Sequence, residues 1–196
     1  MNKPIIVGIT GGIGSGKTLV SNLFRLLGVP IYNADIRAKA LMNSILVGVI
    51  TNEFGLDSYK DGVLNRAHIA KAVFGNSAKL EKLNSLVHPA VAADFKLWVS
   101  QQYTAVYVLK EAALLVENNS YKLLDKLIVV TSPLKLRVSR ITKRDSFRSE
   151  EEIKKIIASQ TSDKAKVALA DFIIRNDESN MLIPQVMKLD KKIRQY

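Results

Sequence analysis

The feature that most constrains this chain is a glycine-rich octapeptide close to its start. It runs over residues 11–18 as Gly-Gly-Ile-Gly-Ser-Gly-Lys-Thr and fits the pattern GxxxxGK[ST]. The isoleucine-rich apolar run before it, at 4–9, predicts a buried strand. The stretch after it, 18–27, carries apolar residues at the i, i+3, i+4, i+7 spacing of one helix face, and Gly28 stands where such a helix would end. With a further apolar run at 29–32, the segment predicts a βαβ unit.

The chemistry of phosphate binding explains the composition of this octapeptide. Successive backbone N–H groups can wrap around a triphosphate only where no Cβ atom intervenes, hence the four glycines. The helix that follows adds free N–H donors and a positive dipole end. Lys17 can reach the β- and γ-phosphates, and the Thr18 hydroxyl can bind the Mg²⁺ that bridges them. We therefore predict ATP and Mg²⁺ as ligands, with nucleotide binding by Gly12, Ile13, Gly14, Ser15, Gly16, Lys17, Thr18 and Leu19.

The remainder of the chain predicts an α/β fold. Strand-like runs at 104–109, 127–130 and 172–174 alternate with helical patterns after Pro133, after Ser149 and at 181–193. Ser132 is predicted to cap a helix whose first residue is Pro133. Ser149 and Glu152 are predicted to form the capping box of the next helix. Strands that alternate with helices favour a parallel sheet with helices on both faces. We expect one P-loop domain over 1–196.

A long stretch of the chain interrupts this alternation. From Asp35 to about Ser100 no strand is predicted, and several pieces have helical spacing. One apolar stripe stops before Pro89 and another begins beyond it, so His88 reads as a residue at a helix end. We expect a mostly helical insertion at 36–100.

Composition excludes several classes of protein. Hydrophobic residues make up 47% of the chain, which suits a globular fold with a core. With no cysteine there is no disulfide framework, cysteine nucleophile or thiolate zinc site. The apolar run at the N-terminus is too short for a signal peptide or a membrane span, so we expect a cytoplasmic protein that acts without a membrane. The net charge of +11 is compatible with solubility and lineage bias alone, or with a polyanionic partner, either nucleic acid or a phosphorylated small molecule. Charge does not distinguish between these interpretations.

Candidate residues exist for a small-molecule kinase. The NKxD and DxxG patterns of GTPases are missing from the sequence. Asp35, just past the second predicted strand, is a candidate base for an acceptor hydroxyl, or else a helix cap before Ile36. Arg137, Arg140 and Arg144 share one predicted helix and read as mobile arginines over the transferred phosphate, or else as a solvated basic face. Glu111 follows the predicted strand at 104–109. It fits equally well as an acid that binds a metal ion and as a solvated loop residue.

Five ordered segments resemble the dephospho-coenzyme A kinase family. Two positions depart from its pattern: Asn33 replaces the first aspartate of an Asp-Ala-Asp triplet, and Ala113 stands where proline is usual. The matching segments are GITGGIGSGKT at 8–18, GVP leading to Ala34-Asp35, LNR at 64–66 with the later VHP at 87–89, ALLVEN at 113–118, and Arg140, Arg144-Asp145 and Gln160 with the run from Ala170 to Asn176.

The resemblance implies phosphorylation of the ribose 3′-hydroxyl of dephospho-coenzyme A by ATP. It implies a coenzyme-binding region at 36–100 and a lid at about 137–160. By position it also implies Asp35 as the base, with Lys17 and Arg140 as further catalytic residues. Arg144 and Asn176 would contact the nucleotide, while Arg66, His88 and Leu115 would contact the acceptor. The predicted partners are therefore ATP and dephospho-coenzyme A, and no nucleic acid.

Two alternatives stay open on the residues alone. One is a P-loop kinase for another small acceptor, such as a nucleoside monophosphate. The other is a basic nucleic-acid-binding ATPase, which only the net charge favours.

Overall fold

A computed structural model describes residues 3–196 as two compact units. The first comprises the chain up to Asn33 together with Gln102–Tyr196, and the second comprises Ala34–Gln101. Across the described residues, no helix has the length and apolar character needed to cross a membrane.

The elements follow one another along the chain with short connections. In order they are β1 (Ile5–Thr10), α1 (Lys17–Leu26), β2 (Ile31–Asn33), α2 (Ala34–Met42), α3 (Val47–Phe54), β3 (Tyr59–Lys60), β4 (Val63–Leu64), α4 (Arg66–Val73), α5 (Ser77–Ser100), β5 (Tyr107–Glu111), β6 (Lys126–Thr131), α6 (Leu134–Arg144), α7 (Glu150–Ala158), α8 (Asp163–Ala168), β7 (Phe172–Arg175) and α9 (Leu182–Ile193). Single 3₁₀ turns at Leu56–Ser58 and Ser120–Leu123 complete the list.

The first unit is built on a five-stranded parallel sheet in the order β2-β5-β1-β6-β7. All five predicted strands are confirmed, with ends that differ from the prediction by at most three residues. From β1 the chain passes to β2 on one side of the sheet and later to β6 on the other, so the strand order reverses at β1. Ligands of open parallel sheets bind at such a switch point, beyond the carboxyl ends of the strands. The glycine-rich segment leaves β1 at this position.

The core of this unit explains why α1 forms where the apolar spacing predicts. Val20 and Phe24 of α1 are fully buried against Val7 and Ile9 of β1, in a cluster that α9 completes. Burying one such side chain contributes about 1.5–3 kcal/mol, so the stripe fixes which face of α1 meets the sheet. The predicted capping box at Ser149 and Glu152 also forms, at the start of α7.

The second unit packs four helices around its own apolar cluster. Ile50 is fully buried there, and Leu41, Leu64, Ile69 and Val87 are nearly so. The unit also contains an antiparallel hairpin, β3–β4, where no strand was predicted. Its turn is Asp61-Gly62, and both residues have positive φ, of 51° and 76°. The dipeptide Asp-Gly favours such a two-residue hairpin turn, so the sequence did contain an indication of the hairpin. Strands of two residues, however, are too short to show alternation of apolar and polar residues.

Three local predictions about helix ends are wrong. Helix α5 continues through Pro89 instead of ending at His88, because apolar residues on both sides of Pro89 pack into the same cluster and offset the lost hydrogen bond. Helix α2 begins at Ala34, which places Asp35 inside its first turn and not at a cap before Ile36. Helix α6 begins after Pro133, and the Ser132 hydroxyl accepts a hydrogen bond from Arg140 instead of capping the helix.

Candidate active site

The glycine-rich loop between β1 and α1 needs glycine where other backbone or side chains approach it. Gly16 has φ of 92°, and a Cβ there would come within 2.2 Å of Asn176 Nδ2. A Cβ on Gly12 would come within 2.2 Å of the Arg137 guanidinium. The loop is therefore packed tightly against the side chains of Asn176 and Arg137.

Lys17 and Thr18 open helix α1 at the mouth of the loop. The Lys17 ammonium donates to the carbonyl of Gly11 at 2.9 Å, so it lies over the loop itself. The Thr18 hydroxyl donates to Glu111 Oε1 at 2.6 Å. Glu111 is the last residue of β5, is paired in register with Ile9 of β1, and is only 4% exposed. The structure thus brings together a hydroxyl and a buried carboxylate beside the loop.

A cavity of about 190 Å³ lies over the start of α1. It is lined by Gly14, Gly16, Lys17, Thr18, Arg140, Ile141 and Arg144. Three cationic side chains thus surround a cleft that the N-terminus of α1 also faces. This arrangement suits a polyanion such as a nucleoside triphosphate.

Arg140 reaches this cavity from α6 while its guanidinium holds the loop after β7. Its Nη1 donates to Ser132 Oγ at 3.0 Å and to the Asn176 carbonyl at 3.2 Å. Its Nη2 lies 3.3 Å from Glu178 Oε1. Asn176 is nearly buried, and its side-chain amide donates to the Ser15 carbonyl at 2.8 Å. Asn176 therefore ties the glycine-rich loop to Arg140.

Arg144 is the more exposed arginine of the cavity. Its Nε and Nη2 donate to both carboxylate oxygens of Asp145, at 2.8 and 2.9 Å. Hydrogen bonding from Arg144 holds the pKa of the Asp145 carboxyl below its usual range. With a side chain that is 62% exposed, Arg144 has room to turn toward a ligand.

Arg137 differs from the other two arginines of α6. It is 5% exposed, its Nε donates to the Ile13 carbonyl at 2.9 Å, and its Nη1 pairs with Asp163 at 2.9 Å. The N–H of Ile13 donates to Gln160 Oε1 at 2.8 Å. Both polar groups of the Ile13 backbone are thus held by side chains of the 137–163 segment. The interpretation of Arg137 as a mobile phosphate-covering arginine is therefore wrong, because its side chain is buried behind the loop.

A buried ion pair anchors the same segment to the loop after β5. Lys166, with a side chain that is 0% exposed, lies 2.8 Å from Glu117 Oε1, which also accepts from the N–H of Thr161 at 3.0 Å. Burial would raise the pKa of the Glu117 carboxyl, but these hydrogen bonds outweigh it and the pKa lies below its ordinary value. Neither partner was predicted from charge pattern, since the pairing joins residues that are far apart in sequence.

The predicted contacts for the acceptor fall mostly in the second unit. Asp35 is in the first turn of α2, Arg66 is the first residue of α4, and His88 is on α5; all three residues are exposed. Leu115 belongs to the first unit and is 1% exposed, against Gly8 of β1. A substrate contact through the Leu115 side chain would therefore require this segment to move. Leu19, predicted at the nucleotide, is 52% exposed on α1.

The hydroxyl of Thr18 and the carboxylate of Glu111 fit Mg²⁺. This cation prefers oxygen ligands and usually takes one or two from the protein and the rest from phosphates and water. Among residues 3–196 there is no cluster of three or more acidic or histidine side chains that could hold a metal ion.

A glycine-rich loop at the switch point of a parallel sheet, faced by cationic side chains from a later helix, defines a P-loop kinase. Comparison with known proteins gives the family. The family model described as dephospho-CoA kinase matches residues 5–181. The chain therefore belongs to the dephospho-CoA kinase family, and the sequence-based identification is confirmed.

Individual relatives agree with this assignment along nearly the whole chain. A dephospho-CoA kinase of Colwellia psychrerythraea is 41% identical over 193 residues, which is 96% of this chain and 95% of that protein. One from Bacteroides fragilis is 36% identical, over 94% and 91%. The solved dephospho-CoA kinase of Campylobacter jejuni superposes with a TM-score of 0.69 at 26% identity, over 97% of both chains. Shikimate kinase of Acinetobacter baumannii, at 16% identity, TM-score 0.51 and coverage of 98% and 94%, shares the fold.

Proposed function

We propose that this chain transfers the γ-phosphoryl group of ATP to the ribose 3′-hydroxyl of dephospho-coenzyme A, giving coenzyme A and ADP in the last step of coenzyme A synthesis. The observation that carries this proposal is the family match over residues 5–181 of a chain whose glycine-rich loop lies at the switch point. ATP and dephospho-coenzyme A would be its partners, in the cytoplasm.

The first unit would hold the triphosphate. Backbone N–H groups of residues 12–18, the dipole of α1 and the Lys17 ammonium would surround the phosphates. Arg140 and Arg144 would lie along the γ-phosphoryl group as its charge redistributes. Asn176 would contribute by fixing both the loop and Arg140.

The second unit would hold the acceptor. Arg66 and His88 are exposed and polar, and we assign them, with Leu115 of the first unit, to dephospho-coenzyme A. Asp35 would accept the proton of the 3′-hydroxyl. The new bond forms between the 3′-oxygen and the γ-phosphorus as the bond to the β,γ-bridging oxygen breaks, and ADP leaves with the negative charge.

Mg²⁺ would be bound through Thr18, with Glu111 as the carboxylate beside it. When bound, the ion neutralises charge on the β- and γ-phosphates. The protein's part is to orient the hydroxyl, and the 2.6 Å hydrogen bond from Thr18 to Glu111 does this.

Replacing Glu111 tests this assignment. Because Glu111→Gln removes the carboxylate but keeps the side-chain volume, we expect the Mg²⁺ concentration for half-maximal rate to rise by roughly 10- to 100-fold, the usual cost of losing an outer partner. Thr18→Ser, which keeps the hydroxyl, is the matched control and should stay close to wild type. A Glu111→Gln enzyme with an unchanged Mg²⁺ titration would remove Glu111 from the metal site.

The position of phosphorylation tests the function itself. The product of ATP and dephospho-coenzyme A should have the mass of coenzyme A and lose its new phosphate to a 3′-nucleotidase. Phosphate at the 2′-position, or phosphate released to water without an acceptor product, would contradict the proposal.

A further inference from the structure

Glu178 has a backbone conformation that its residue type disfavours. It lies between β7 and α9 with φ of 68°. The other non-glycine residues with positive φ among those that the structure describes are Asp61 and Asn119. Aspartate and asparagine tolerate this region because their short polar side chains can hydrogen-bond locally, whereas glutamate lacks that benefit. The backbone conformation of Glu178 is therefore one that its residue type disfavours.

The side chain of Glu178 forms an ion pair with Arg140. Glu178 Oε1 lies 3.3 Å from Arg140 Nη2, and the two side chains are 66% and 29% exposed. The Asn176 amide oxygen is also near Nη2, but at 3.5 Å. The other terminal nitrogen of the guanidinium, Nη1, is occupied by Ser132 and the Asn176 carbonyl, which are nearly buried. Glu178 is thus the most solvent-exposed partner of Arg140.

Arg140 also lines the cavity over the glycine-rich loop. A triphosphate in that cavity offers Nη2 a second anion, with more charge and several acceptor oxygens. An exposed ion pair contributes little to stability, so the carboxylate is easier to displace than the contacts of Nη1. Arg144 differs, since its partner Asp145 is bound through two hydrogen bonds and is 15% exposed.

We propose that Glu178 is an exchangeable counter-ion that holds Arg140 until ATP binds and thereby weakens the affinity for ATP. ATP must displace the carboxylate from Nη2, so part of its attraction to Arg140 is offset. Meanwhile the contact keeps the guanidinium at the cavity wall. The inference rests on the proposed role of Arg140 toward ATP.

Direct binding of Mg-ATP, measured by calorimetry without an acceptor, tests the competition. Glu178→Gln removes the charge and keeps the length of the side chain, so the dissociation constant should fall about two- to fivefold, the range expected for an exposed pair. Glu178→Gly removes the unfavourable conformation as well. It should bind ATP as tightly as Glu178→Gln.

A double-variant comparison separates this competition from a general charge effect. In an Arg140→Ala background, Glu178→Gln should leave ATP affinity unchanged, because the residue with which Glu178 pairs is gone. If Glu178→Gln strengthens ATP binding equally in both backgrounds, Glu178 acts only by general charge repulsion of ATP, and the proposal is overturned. Weaker or unchanged binding by Glu178→Gln in the otherwise native chain would overturn it too, since Glu178 would then position Arg140 or do nothing.

The same variants show which claim has failed. If Arg140→Ala alone changes neither ATP affinity nor kcat, the proposed role of Arg140 is wrong. If Arg140→Ala lowers kcat but Glu178→Gln does not tighten ATP binding, only the counter-ion inference is wrong.

Discussion

Lys17→Ala is expected to lower kcat/KM by about two to three orders of magnitude, the usual loss when a donor aimed at developing charge is removed. The Lys17 ammonium lies over the glycine-rich loop, 2.9 Å from the Gly11 carbonyl, and lines the cavity. No other residue of the octapeptide carries a positive charge. ATP affinity should also fall roughly 10- to 100-fold, because a hydrogen bond to a charged group contributes about 1.5–3 kcal/mol.

The fold should tolerate this change. The Lys17 ammonium donates to the carbonyls of Gly11 and Gly12 at 2.9 and 3.5 Å. The loss of such a hydrogen bond costs about 1 kcal/mol and lowers the Tm by about 2–4 °C. Lys188→Ala is the matched control, because it removes one exposed positive charge from α9, away from the cavity lining. Steady-state kinetics and calorimetry with ATP provide the comparison. Turnover near that of the native enzyme in Lys17→Ala would end the phosphate-binding assignment.

Asp35→Asn is expected to lower kcat by about two orders of magnitude or more, since a general base contributes roughly 10²- to 10⁴-fold. A ribose hydroxyl must lose its proton as the bond to phosphorus forms, and an amide cannot accept it. Much of the loss will come from orientation, because phosphoryl transfer has a loose transition state. ATP affinity should stay within about twofold, since a base for the acceptor hydroxyl has no required contact with the nucleotide.

The position of Asp35 in α2 sets the expected effect on stability. A carboxylate in the first turn of a helix interacts favourably with the dipole, by about 0.3–1 kcal/mol, and asparagine loses this. The loss of this dipole interaction alone lowers the Tm by a few degrees. Asp61→Asn is the control within the same unit, because asparagine also tolerates the positive φ of that turn. If kcat of Asp35→Asn stays within a few-fold of wild type, Asp35 is not the base and the carboxylate of Glu111 becomes the next candidate.

Local patterns account for the parts of the fold that the sequence predicted well. The octapeptide, the apolar stripe of α1 and the capping box of α7 each depend on residues within one or two turns of each other. The spacing of residues along a short segment is therefore enough to predict these features. The same holds for the buried strands, because strands covered on both faces are nearly continuous apolar runs.

Features that depend on distant residues were missed. Arg137 has the spacing of a residue on a basic helix face, yet it is buried by Ile13 and Asp163, which are 124 and 26 residues away. The path of α5 through Pro89 likewise depends on a cluster that residues from several helices build. Helix-breaking tendency is a local property, and tertiary packing overrides it here.

The most direct measurement of the central claim is the acceptor preference of the enzyme. ADP release from ATP would be followed with dephospho-coenzyme A, with AMP and CMP as nucleoside monophosphates, and with shikimate, at matched enzyme and Mg²⁺ concentrations. The account predicts that kcat/KM for dephospho-coenzyme A exceeds that for each other acceptor by about 10³-fold or more. The other acceptors lack most groups of the coenzyme, so polar residues of the acceptor site would be left without hydrogen-bond partners. Equal or faster turnover of a nucleoside monophosphate or of shikimate would contradict it, while leaving the P-loop kinase fold in place.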